Sequence, residues 1–524
     1  MKKQLEDFEW EQDVDIPKNS LQNLKTLDTL LDTTGCGFCL AKFKQVTMHL
    51  GTGYTHACHH PTPHKIPLDE IENNPAALFN TQHLKRARVQ MLNDKKPAEC
   101  DYCWRVEDSG NLSDRHYKSI EAWALPYHNE ISNLTGVEDL YPSYLEVSFN
   151  NACNLACIYC GPEFSSKWVE HLKSDGPVKL LQDTSSEQWI QGWQDLDSLN
   201  YKNSDFNPYI DAFWKWFPEA YKHLKHYRIT GGEPLMSKET FRSIDWFIAN
   251  PNPELEFSIN SNFGVPDKLW NRFIDQLNEL KTGNKVKKIT IYTSVEGWGE
   301  KAEYARYGLD FDLFKKRYEQ IVSMGNVRCV IMAAYNVLSV TSFQPLLEWV
   351  NDLKRQYNPS NAYVDQEEIT GFDLIKTGET LMQRAAKNPD QHILVGIDVP
   401  YLRHPTCLDA QYITDDLVEQ YMIPSMSYMA DNSSSSIWNE HMGFERYETD
   451  KLKRIVSHRM HFDRKNNDEL RHDILLERAK FYEYVNELDK RRGTNFLEVY
   501  PEMEHFYNVC KDANKTMREW FKQQ

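Results

Sequence analysis

Three cysteines in the stretch ACNLACIYC, Cys153, Cys157 and Cys160, stand at C-x3-C-x2-C spacing. Three thiolates can hold three corners of a four-iron, four-sulfur (4Fe-4S) cube, and because full protein ligation takes four, one iron is left open to an exogenous ligand. Zinc is the alternative, but a structural zinc site wants four closed ligands, and no fourth partner is nearby in sequence. Further along, HYRIT runs directly into Gly231-Gly232-Glu233-Pro234. Its glycines permit close backbone approach, and Glu233 supplies an acceptor for an ammonium or amine. A second set lies upstream: Cys39, Gly53 after thirteen residues, Cys58 after four more, then a gap closed by Cys100-Asp101-Tyr102-Cys103. Two C-x2-C pairs, Cys36 with Cys39 and Cys100 with Cys103, are also a zinc pattern, with His56, His59 and His60 as spare ligands. Cys329 and Cys510 read as small core hydrophobes, while Cys407 in HPTCLD is open.

The C-x3-C-x2-C motif followed by GGEP resembles the radical S-adenosylmethionine (SAM) superfamily. The resemblance implies that the open iron chelates the amino and carboxylate groups of SAM, and that one electron cleaves the sulfonium to methionine and a 5′-deoxyadenosyl radical, which abstracts a substrate hydrogen. By the same resemblance Cys153, Cys157 and Cys160 are the catalytic cluster ligands. Gly231, Gly232 and Glu233 meet the SAM amino group. Asn260 and Asn262 in INSN match a ribose- or carboxylate-contacting position, and Ser294 ends the next strand. Arg306 in EYARYG resembles an arginine that pairs with the SAM carboxylate, and Tyr159 matches the aromatic against the adenine.

The upstream order, Cys39, Gly53, Cys58, Cys100, Cys103, is similar to the twitch domain, the shortened form of the SPASM auxiliary-cluster domain. That implies a second 4Fe-4S cluster on Cys39, Cys58, Cys100 and Cys103. CWRVEDSG with Arg115 nearby, and GPEFSSKW after the first cysteine set, also resemble a subgroup that carries this module at its N-terminus; in most relatives the module follows the barrel. The resemblance spans roughly residues 36–375.

These residues need elements to position them. Strands are predicted at YLEVSF (144–149), HYRIT (226–230), LEFSIN (255–260), KITIYTS (288–294), VRCVIMAA (327–334) and YVDQEEI (363–369). Between them lie the amphipathic patterns KETFRSIDWFIAN, DKLWNRFIDQLNEL, FDLFKKRYEQIV and FQPLLEWVNDLKRQ. Strands alternating with helices predict right-handed βα units on a parallel sheet. The long first crossover contains WIQGWQDLDSLNYKNSDFNPY, a lid candidate. Residues 36–110 read as loop-like around a Gly51-Thr52-Gly53 turn, with one helix near LFNTQHLKRARVQML. The Ser433–Ser436 run reads as a hinge, HDILLERAKFYEYVNELDKRR as a packed helix, and the basic KLKRIVSHRM as a solvated helix face rather than an anion patch. The fold class expected is α/β: a partial (β/α)6 TIM-like barrel with an N-terminal cysteine-rich twitch module and a mainly helical C-terminal region. Its domains are 1–35 a polar arm, 36–115 the twitch-like module, 140–375 the radical SAM core and 376–524 the helical region.

Composition sets the class of partner. The chain has 524 residues, 40% hydrophobic and 26% charged, which is material for a substantial core rather than a disordered chain. A net charge of −17 repels phosphate backbones, so nucleic acid is disfavoured and an RNA-modifying enzyme is the weaker reading. No run approaches the 18 apolar residues of a membrane span, and MKKQLEDFEWEQDVDIP lacks an apolar core after its lysines, so a cytoplasmic location is expected. The function expected is a radical SAM enzyme of oxidoreductase or maturase type making an oxidative or bond-forming change in a peptide, protein or small metabolite. A non-catalytic iron–sulfur or SAM-binding protein is the rival. The implied cofactors are the SAM-binding 4Fe-4S cluster, an auxiliary 4Fe-4S cluster and SAM, with flavodoxin or ferredoxin as electron donor. The 35 residues before Cys36 are too few for a winged-helix leader-binding domain, so a peptide substrate would need a separate recognition partner.

Overall fold

The computed structural model describes residues 3–11, 20–181, 206–358, 393–433, 443–462 and 468–523. It is a mixed α/β fold with a large, mainly parallel sheet and many helices. The strands are β1 (Gln45–His49), β2 (Tyr54–His56), β3 (His64–Lys65), β4 (Tyr144–Ser148), β5 (Ala156–Cys157), β6 (His226–Thr230), β7 (Asn252–Ser261), β8 (Val286–Ser294), β9 (Arg306–Tyr307), β10 (Val327–Met332) and β11 (Val395–Asp398). The chain divides into two units, the first Met1–Asn151, Asn200–Asn260 and Arg272–Ile289, the second Ala152–Leu199, Ser261–Asn271 and Thr290–Gln524.

In the first unit the strand order is β3-β2-β1-β4-β6-β7. The pairs β1–β4, β4–β6 and β6–β7 are parallel, while β1–β2 and β2–β3 are antiparallel. Side chains alternate faces with period two, so register decides which residues share a row. Leu145, Tyr227 and Phe257 form one buried row, and Val147, Ile229 and Ile259 the next. The helices Pro208–Ala220 and Lys238–Ala249 cover this apolar face: the Phe217 ring lies 5.4 Å from Tyr227, and Phe247 5.3 Å from Phe257. The other face is polar and half-buried. Arg228 reaches Asn260 Oδ1 from Nε (3.3 Å) and Nη2 (3.1 Å), and Thr230 donates to Glu146 at 3.4 Å.

The second unit holds the parallel pair β10–β11, the two-residue antiparallel pair β5–β9, and a helical C-terminal part in which Asp468–Arg492 packs on Glu504–Gln523.

Five of the six strands read from sequence form close to where their alternation put them, and YVDQEEI lies outside the described residues. The four amphipathic patterns are helices at Lys238–Ala249, Asp267–Lys281, Phe311–Ser323 and Phe343–Tyr357. Residues 36–110 are not simply loop-like: they contribute β1, β2 and β3, with β1 joined to β4. β1 was missed although QVTMH alternates polar and apolar residues, and its polar Gln45 and Thr47 are buried along with Val46 and Met48. β11 in LVGIDV was also missed. Most of the lid candidate, and Ser434–Ser436 of the hinge run, lie outside the described residues. Among those described, no helix is long and apolar enough to cross a membrane.

Candidate functional site

The cysteine loop of the second unit is held through its backbone. Ser166 accepts from Cys153 N (3.1 Å) and donates to Cys153 O (3.2 Å). Ser165 donates to Leu155 O at 2.7 Å, and Trp168 Nε1 to Cys157 O at 2.8 Å. These are the serines and tryptophan of GPEFSSKW, where Ser165 caps the helix Ser166–Asp175. Two further donors come from the helix Asp468–Arg492: Tyr484 Oη donates to Ile158 O at 2.5 Å, and Arg492 Nη2 to Ala156 O at 2.7 Å. The Arg492 guanidinium also lies over the Tyr307 ring at 4.9 Å and the Trp168 ring at 5.6 Å. Sequence reading left these two residues as ordinary members of an amphipathic helix, and no local signal distinguishes them.

Burial raises the Cys157 thiol pKa against the pull of Arg306, and burial with the charges of Cys157 and Cys153 raises Cys160 further. Thiols that disfavour each other's ionisation suit a centre that brings cationic charge. Their spread matters too. Among the described residues, His59, His60 and Asp114 are the one trio of His, Cys, Asp or Glu whose ligand atoms all lie within 4.8 Å. Thiolates on one tetrahedral zinc stand about 3.8 Å apart, given a Zn–S bond of about 2.3 Å. The Sγ atoms of Cys153, Cys157 and Cys160 do not all lie within 4.8 Å of one another.

Beside Cys157 lies a buried charged cluster. Arg306 Nε donates to Glu296 Oε2 at 2.8 Å, Nη2 donates to Glu296 Oε1, and Nη1 stands 3.6 Å from Cys157 Sγ. Tyr159 Oη donates to Glu296 Oε1 at 2.5 Å. Burial works against the Arg306 charge, but Glu296, then Tyr159 and Cys157, hold its pKa well above the ordinary value. Glu296, 1% exposed and two residues past Ser294, is the residue sequence reading missed. Asn262 Nδ2 donates to Asn154 Oδ1 at 2.9 Å and lies 3.9 Å from Cys153 Sγ, while its Oδ1 accepts from Gly264 N at 2.7 Å. Between them Phe263, fully buried, is held at φ 60°, a left-handed conformation that is costly for a bulky residue and is found at functional turns.

Gly231, Gly232, Glu233 and Asn260 belong to the first unit. Gly231 has φ 123°, and a Cβ there would meet Ser148 Oγ at 2.6 Å and Asn150 O at 2.9 Å, so the turn admits glycine alone. Glu233 is 1% exposed, and its Oε1 accepts from Leu235 N at 3.1 Å, capping the turn Pro234–Met236.

The first unit also gathers Cys39, Cys58, Cys100 and Cys103 around one small pocket, with Lys42, His59, His60 and Asp114. Burial pushes Cys58 up to about 11 and Cys100 up to about 12; in both cases Lys42 opposes, and neighbouring thiols add to the rise. Lys42, 2% exposed, pairs with Glu99, which also accepts from His83. Gly53 has φ 72°, and a Cβ on it would lie 2.2 Å from the Tyr209 ring, so the motif glycine makes room for the helix Pro208–Ala220. Cys36 is exposed, bonded to Asp94, and outside the lining. His59 and His60 both reach Asp114 Oδ2, at 3.1 and 2.7 Å, and His56 is bonded to Cys58 O and to His49. Cys407, like Cys329 and Cys510, is buried.

No family model matches the chain, and no curated protein matches it. Among solved structures, Streptococcus suis SuiB bound to precursor peptide SuiA is 12% identical, with 69% of this chain and 72% of that chain covered and a TM-score of 0.28. SuiB bound to S-adenosylmethionine is 15% identical over 68% of this chain and 71% of that one, also at a TM-score of 0.28. These values are too low to assign a fold or an activity.

Proposed function

We propose that this chain is a radical SAM enzyme, its core a partial (β/α)6 barrel, with an auxiliary cluster in an N-terminal twitch-like module. The observation that carries the reading is the Cys153–Cys160 loop: three thiols at C-x3-C-x2-C spacing on a backbone fastened at five carbonyls. When bound there, a 4Fe-4S cluster supplies the electron that cleaves SAM to methionine and the 5′-deoxyadenosyl radical. Cys153, Cys157 and Cys160 would hold it, and the anchored backbone keeps them from collapsing together. Arg306, whose Nε and Nη2 pair with Glu296 and whose Nη1 lies against Cys157 Sγ, would meet the SAM carboxylate, and Glu296 also fixes the Tyr159 ring by its hydroxyl. Gly231, Gly232, Glu233, Asn260, Asn262 and Ser294 complete the proposed SAM contacts. The half-buried polar face carrying Glu146, Arg228 and Asn260 suits a barrel interior that receives a polar ligand.

Cys39, Cys58, Cys100 and Cys103 would hold the auxiliary cluster, and Lys42 beside them favours an extra electron there. That supports an oxidative or bond-forming reaction, in which a substrate radical gives up one further electron. The substrate is a peptide, protein or small metabolite, and a flavodoxin or ferredoxin supplies the first electron. The test is anaerobic reconstitution with dithionite and SAM. About eight irons per chain and release of 5′-deoxyadenosine are expected. The triple change of Cys153, Cys157 and Cys160 to Ala should halve the iron and abolish the release. About four irons with one zinc, or no 5′-deoxyadenosine, would overturn the reading.

A further inference from the structure

A second cavity of about 690 Å³ opens in the second unit where the chain leaves β11. Its volume falls within the range of small-molecule sites. Its place is also one that open α/β sheets use, just past the carboxyl end of a strand, and the bridge Tyr335–Tyr401 carries the β10–β11 pairing to its rim.

The lining is cationic in a chain whose net charge is −17. Arg403 and His404 come from the segment after β11, and Lys451, Arg454 and His458 from the helix Arg446–Phe462. The acids nearby are already engaged. Asp409, 5% exposed, accepts from Tyr401 Oη, from Gln411 N at 2.8 Å and from Gln411 Nε2 at 3.0 Å. Asp398, the last residue of β11, pairs with Lys451. That leaves two guanidinium groups: Arg403 has no hydrogen-bond or ion-pair partner among the described residues, and Arg454 donates only from Nε, to Asp450 O at 3.3 Å. A guanidinium fork matches the paired oxygens of a carboxylate or a phosphate. The basic stretch KLKRIVSHRM therefore divides: Lys451, Arg454 and His458 face the cavity, while Lys453 is exposed and outside its lining.

We propose that this cavity binds an oxyanion, a carboxylate or phosphate group held by Arg403 and Arg454. The proposal does not rest on the radical SAM reading.

Calorimetric titration of the full-length, cluster-loaded protein at constant ionic strength tests it, with tricarballylate and inorganic pyrophosphate as probes. The wild-type chain binds at least one of them, and the stronger probe tells whether the natural group is a carboxylate or a phosphate. The double variant Arg403→Gln/Arg454→Gln weakens binding about tenfold or more, whereas Lys453→Gln leaves it unchanged. Should the double variant fail to fold, Arg403→Gln alone, at an exposed side chain, is expected to weaken binding about threefold. No binding of either probe to the wild type, unchanged affinity in the arginine variants, or an equal loss in Lys453→Gln overturns the proposal. Probe binding without 5′-deoxyadenosine formation would keep the oxyanion site and discard the enzyme reading alone.

Discussion

Arg492 Nη2 donates to the carbonyl oxygen of Ala156 at 2.7 Å, which ties the end of the helix Asp468–Arg492 to the residue before Cys157. A helix more than 300 positions away in the chain thus fixes the backbone of the cysteine loop, together with Tyr484 on Ile158.

Replacing Arg492 with Ala should therefore loosen the loop. A charge-assisted bond of this kind contributes about 1.5–3 kcal/mol. Faster hydrogen exchange over residues 153–160 and lower iron retention are expected, with a milder effect in Tyr484→Phe. Unchanged exchange in both variants would show that the helix merely lies beside the loop.

Glu296→Gln should be costlier. The Arg306 fork would lose its carboxylate while staying buried at 6% exposure, and breaking such a pair typically costs about 3–5 kcal/mol. Urea denaturation measures the loss. Glu296→Gln/Arg306→Met should recover part of it, since removing both charges removes the unpaired one. No recovery would mean that Glu296 matters through Tyr159 instead.

Lys42 offers a redox prediction. Its charge faces Cys100 and Cys58, so Lys42→Met should lower the midpoint potential of a cluster held there. The shift is on the order of 100 mV for a unit charge about 6 Å away at an effective dielectric of about 20. Spectroelectrochemical titration reads it, and an unmoved potential would remove Lys42 as a tuning group. In the companion variant Cys100→Ala/Cys103→Ala, 5′-deoxyadenosine should still form while oxidised product does not.

Two histidines of the first unit set an acid limit on stability. Burial, then the charge of His56, pushes His49 down to about 4; burial, then His83, pushes His64 down to about 4. Below about pH 6.5 the unfolded chain binds both protons, but the folded protein refuses them until about pH 4. Their stabilising contribution is thus present above pH 6.5 and lost as pH falls from 6.5 to 4, at most about 3 kcal/mol for each histidine. Denaturation midpoints at pH 7.5 and 5.0 should differ accordingly, and His49→Phe should shrink the difference. An equal acid loss in that variant would rule His49 out.

Some of this was legible in the residues alone. Period-two alternation in HYRIT and LEFSIN places Tyr227, Ile229, Phe257 and Ile259 on one face, because the backbone pleat dictates it whatever lies opposite. The spacing Cys153, Cys157, Cys160 is likewise local, and so is the need for glycine before Glu233, since a left-handed φ excludes a Cβ. What the alternation of QVTMH could not reveal is that Gln45 and Thr47, on the polar side of β1, are buried as fully as Val46 and Met48. Nor could spacing reveal the partners. Glu296 takes the Arg306 fork, Tyr209 fills the space that Gly53 leaves, Tyr484 and Arg492 reach the cysteine loop, and Arg403 and Arg454 line one cavity. These pairings join residues that no local propensity connects. They exist because folding brings distant buried polar groups together, and a buried donor or acceptor must find a partner wherever the chain provides one. Pattern fixes which face a side chain takes, while tertiary packing alone decides what it meets there.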